Sequence, residues 1–183
     1  MFVDILKYFA RFSSKDGVLA NFTSGSSSFS AYAHLREELA ALEYLNIVPD
    51  FVFGPHIDKV RTRVNAIVEG PYLFVDYGEV EHVDASPGQY ADRISLAVTV
   101  ARPMRETSAD VVEHLLAMED CLRRLVDIRN GILALRCASD PYYRGLSEAH
   151  TIVPFETAEL SSAGWTMLFS RQGFDSLSAK PRR

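Results

Sequence analysis

Tyr72-Leu73-Phe74-Val75-Asp76-Tyr77 is a short, almost continuously apolar run closed by Gly78, and Ile94-Ser95-Leu96-Ala97-Val98-Thr99-Val100-Ala101 follows it in strict alternation. The first reads as a buried strand and the second as a half-buried strand of period two, ended by Pro103. Next comes the longest periodic stretch of the chain. Val111, Leu115, Met118, Leu122, Leu125, Arg129 and Ile132 step by fours and threes, and Val112, Leu116 and Val126 widen the stripe. Thr107-Ser108-Ala109-Asp110 offers a capping-box start, and Asn130-Gly131 a left-handed stop. A helix over 108–129 is roughly 33 Å long, enough to cross a four-stranded sheet. Two more strands are expected at 151–156 and 165–171, joined by a turn at Ser161-Ser162-Ala163-Gly164; Pro154 marks the first as an edge strand or a bulge. The order predicts an α+β fold: a small, mainly antiparallel four-stranded sheet with one long helix across it. Leu115, Leu122 and Leu125 are expected to point inward.

Upstream, Phe2, Ile5, Phe9 and Phe12 recur at helical spacing, so 2–12 reads as an amphipathic helix ended by Ser13-Ser14-Lys15-Asp16-Gly17. Thr23-Ser24-Gly25-Ser26-Ser27-Ser28 has linker composition. A second helix is expected over 31–45, with Tyr32, Leu35, Leu39 and Leu42 on one face. Pro49 and Gly54-Pro55 bracket Asp50-Phe51-Val52-Phe53, which reads as an edge strand or a docking peptide. Residues 57–67 fit a helix through Ile57, Val60, Val64 and Ile67 and a strand through Val60, Thr62, Val64 and Ala66; the helix is favoured. The expected organisation is an N-terminal helix and serine-rich linker (1–28), an α+β core (29–172) and a polar, partly basic, flexible tail (173–183). Asp140-Pro141-Tyr142-Tyr143 and Gly145 read as a loop, and Ala85-Ser86-Pro87-Gly88 as another.

The chain has 183 residues, 48% of them apolar and 23% charged, which is ordinary globular composition with material for one sizeable core. A formal net charge of −5 argues against a dedicated nucleic-acid binder and is too mild for an acidic solvating segment. Asp4, Lys7 and Arg11 interrupt the N-terminal apolar run, so neither a secretory signal nor a membrane span is expected there, and Asn21-Phe22-Thr23 has no acceptor role. Cys121 and Cys137 lack metal or redox spacing, which points to a reducing cytoplasmic setting.

Asp76, Glu79, Glu81 and Asp84, with Asp92 beyond, are the candidates for a metal or acid/base site, because divalent cations need several converging oxygens. A nuclease built on such carboxylates usually adds a nearby lysine, and none lies between Lys59 and Lys180. The competing reading is a solvated strand-loop edge, whose charges discourage edge pairing. Histidines at 34, 56, 82, 114 and 150 lack ligand spacing, though His82 is near the acidic group. No serine-hydrolase motif or phosphate loop is present, and Cys121 reads as a packing residue. Arg102, Arg105, Arg123, Arg124 and Arg129 form either a stripe for an acidic partner or a set of arginines snorkelling around a core helix. Phe51, Phe53, Tyr142 and Tyr143 fall in segments that ordinarily lie at the surface, so they either contact a partner or fold back.

The elements that run from Gly70-Pro71-Tyr72 to Gly78, the strand over 92–103, the helix over 110–128, and Ile152-Val153-Pro154-Phe155 leading to Gly164-Trp165-Thr166-Met167-Leu168-Phe169 resemble the tail terminator, or tail completion, proteins of long-tailed bacteriophages and prophages. The resemblance covers about residues 31–172 and is topological. It implies a helix over a small sheet and a homo-oligomeric ring at the head-proximal end of the tail tube, without catalysis or cofactor. It also implies contacts to tail-tube or head-connector proteins and none to membrane or specific nucleic acid, with assembly in the bacterial cytoplasm. The N-terminal extension departs from that plan. Phe2, Phe9, Phe51, Phe53, Tyr142, Tyr143 and Arg129 are the candidate interface residues. The alternative is a small metal-dependent hydrolase or nuclease built on the acidic group.

Overall fold

The computed structural model describes residues 1–24, 27–67, 70–86, 89–104, 110–134 and 141–174. Helix α1 (Phe2–Ala10) leads into strand β1 (Ser13–Ser14) and helix α2 (Lys15–Leu19), and α3 (Ala31–Ala40) follows. The centre is β2 (Val48–Phe53), α4 (Ile57–Asn65), β3 (Tyr72–Ser86), β4 (Gln89–Pro103) and α5 (Val111–Ala134). Helix α6 (Pro141–Glu148), β5 (Thr151–Thr157) and β6 (Ser162–Phe174) complete the described elements.

The sheet has six strands in the order β1-β2-β3-β4-β6-β5, so the expected four-stranded sheet is only part of it. The four strands read from the pattern are β3, β4, β6 and β5, and their pairings are antiparallel. The sheet is mixed because β2 pairs with β3 in parallel, as does β1 with β2. A parallel neighbour needs a crossover, and α4 supplies it. The 57–67 stretch is therefore the helix of a β2-α4-β3 unit, and Asp50-Phe51-Val52-Phe53 belongs to a sheet strand. Strand β5 takes an edge position, one of the two places that Pro154 allowed.

Helices cover both faces of the sheet. On one face, Leu73, Val75, Leu96, Val98 and Val100 join Ile5, Phe9 and Phe12 from the N-terminal segment and Leu125, Ile128 and Ile132 from α5. On the other, Val60 and Val64 of α4 close over Val52, Tyr72 and Phe74. The 1–28 segment thus contributes side chains to the main core. Tyr8 stacks on Tyr142 of α6 with ring centroids 3.9 Å apart, and Arg11 and Arg171 sit over the two outer ring faces.

Several local expectations need correction. The long helix continues through Asn130-Gly131 to Ala134; a Cβ on Gly131 would meet the Phe12 ring at 2.9 Å, so that glycine serves close packing and not a stop. The inward line is Ala117, Cys121, Leu125, Ile128 and Ile132, which shares Leu125 and Ile132 with the apolar series read from spacing and puts Ala117, Cys121 and Ile128 inward in place of Met118, Leu122 and Arg129. Leu125 is inward as expected, Leu122 is half-buried, and Leu115 is exposed. Small residues at 117 and 121 let the helix backbone come down on β6, which selects this face over the bulkier one. Strand β3 does not stop at Gly78 but runs as a hairpin arm to Ser86, opposite Gln89, so the 85–88 loop is shorter than expected. Tyr142 and Tyr143 lie on α6 and not in a loop. Residues 107–109 of the expected cap, Arg105, Cys137 and 175–183 of the expected tail lie outside the described residues.

Candidate functional site

The acidic group is dispersed by its strand. Asp76 accepts the His56 backbone N–H at 3.2 Å, and Glu81 pairs with Arg93 across the hairpin at 3.5 Å. Glu79 is exposed at the irregularity between Tyr77 and Val80, and the Asp84 side chain lies outside the described set. Asp92 is fully buried, with the His82 imidazole Nδ1 at 3.2 Å. Among the described residues no three His, Cys, Asp or Glu side chains converge as a metal site would require. A shallow, open groove of about 410 Å³ on the outer sheet face is lined by Asp76, Gly78, Ser95, Ala97 and Leu168 among others, with Asp76 its single titratable side chain.

Several of the remaining polar candidates are engaged within the chain. His114 Nε2 lies 3.2 Å from Glu156, His34 near Glu38, and Arg129 Nε–H donates to His150 Nε2 at 2.8 Å. Arg123 pairs with Glu119, while Arg124 bonds Asp120 and donates to the Ile47 carbonyl at 2.6 Å. Arginines of α5 therefore dress and anchor the helix. Cys121 is buried beneath it, and burial pushes its thiol up to about 11, so it packs as an apolar side chain.

The candidate interface residues do not gather into one patch. Phe9, Phe51 and Tyr142 are buried in the core, Phe53, Tyr143 and Arg129 are half-buried, and Phe2 is exposed at its edge. Phe2 and Phe53 both lean on Tyr77, with centroids 4.5 Å and 5.0 Å from it. Folding back thus accounts for most of these rings.

A different surface is left uncovered. At the start of α5, Val111, Val112, Leu115 and Leu116 are 79%, 63%, 64% and 60% exposed. Pairs at i and i+4 are neighbours on a helix, so 111/115 and 112/116 form two adjacent rows of one aliphatic ridge. Two contacts fix the helix below it: the Trp165 indole N–H donates to the Met118 carbonyl at 3.1 Å, and His114 rests on Glu156. Asp110 caps the first turn, its carboxylate accepting the Val112 and Glu113 N–H groups. The ridge thus lies on a capped helix that is tied to β5 and β6. Isolated exposed apolar residues are normal, whereas a contiguous patch marks a contact surface.

Sequence spacing assigned these residues to the core because they extend the inward-looking series. The overlooked signal is the doubling Val111-Val112 and Leu115-Leu116, which makes the apolar arc wider than one sheet face can bury. The small side chains at 117 and 121 also mark where the backbone approaches the sheet. No protein-family model, curated protein or solved structure matches this chain. No helix among the described residues is long and apolar enough to cross a membrane.

Proposed function

We propose that this chain is a structural protein of a bacteriophage or prophage tail, of tail-terminator type, working as a homo-oligomeric ring that contacts the tail tube or the head connector. The observation that carries this reading is the Val111–Leu116 ridge, an aliphatic surface turned outward where a lone domain would be expected to bury it. The sheet with a long helix across it agrees with the resemblance of the sequence to that family. The scattered carboxylates and internally paired histidines favour work done by surfaces over work done by a reactive centre.

The test is to mix the purified protein with the tail-tube protein encoded beside it and to image the products. Tubes that stop growing and carry a terminal ring are expected. Tubes whose length distribution ignores the added protein would contradict the reading.

A further inference from the structure

We draw no further inference here: the strongest candidate, the aliphatic ridge of Val111, Val112, Leu115 and Leu116 at the start of α5, carries nothing beyond the proposed function, because nothing in the structure shows what covers it.

Discussion

The Trp165 indole N–H donates to the Met118 backbone carbonyl at 3.1 Å, a side chain of β6 reaching into the ladder of the helix that crosses it. This contact sets the height and rotation of the first half of α5, and so the direction in which the ridge faces. Trp165→Phe keeps most of the apolar contact and removes the donor, so it should cost about 1 kcal/mol of stability in a urea titration. An unchanged midpoint would mean that the bond does not hold the helix in solution.

The rotation of α5 is tested by a contrast between two leucines. Leu125 is fully buried, and Leu125→Ala should cost about 2–5 kcal/mol, through lost transfer energy and the cavity left behind. Leu115 is largely exposed, and Leu115→Ala should stay within about 0.5 kcal/mol of the parent in dilute monomeric protein. Chemical denaturation of the two variants decides between this rotation and one with Leu115 inward, for which both losses would be large.

Cys121 should be inert while the chain is folded. Burial raises its thiol to about 11, so at pH 8 the thiolate is scarce, and the helix above denies reagents access. In a Cys137→Ser background, a thiol-reactive chromophore should report no fast-reacting cysteine until denaturant is added. Immediate stoichiometric reaction would show that α5 does not lie on β6 as described.

Tyr72 makes stability fall at alkaline pH. Burial raises its phenol from an ordinary 10 to about 12, the Ser162 hydroxyl offsetting only part of the shift. Between those values the unfolded chain releases this proton and the folded chain keeps it. Stability is therefore full below about pH 10 and declines as pH rises towards 12, by about 3 kcal/mol from this residue. Tyr72→Phe should flatten that decline in denaturation curves taken across the range. An identical alkaline slope in parent and variant would place the phenol in solvent.

Periodicity made the four antiparallel strands and the long helix legible because each has a single dominant neighbour surface. The alternation at 94–101 read as a half-buried strand, and Pro154 as an edge or a bulge; the sheet buries Thr99 and Ala101 as well and places β5 at the edge. The parallel side was harder to read. Whether Asp50-Phe51-Val52-Phe53 is a docking peptide or a strand depends on a crossover, and 57–67 fits both helix and strand patterns by side-chain spacing alone. The rotation of α5 was illegible for a related reason: Leu115 and Leu125 are equally apolar, and only the closeness allowed by Ala117 and Cys121 chooses between their faces. Burial of Phe9, Phe51 and Tyr142 depends on contacts across long sequence separations, such as Tyr8 on Tyr142, that local pattern does not encode. The exposed ridge lay hidden in the same stripe that announced the helix.

The proposed self-assembly through the start of α5 is measured most directly by light scattering on full-length protein over a wide concentration range. The parent chain should form a closed oligomer of fixed mass, alone or on addition of the tail-tube protein that the proposed function pairs it with. The double variant Leu115→Ser, Leu116→Ser should keep the parent's far-ultraviolet circular dichroism and remain monomeric in both conditions. A parent that stays monomeric in both, or a double variant that assembles as the parent does, would contradict it.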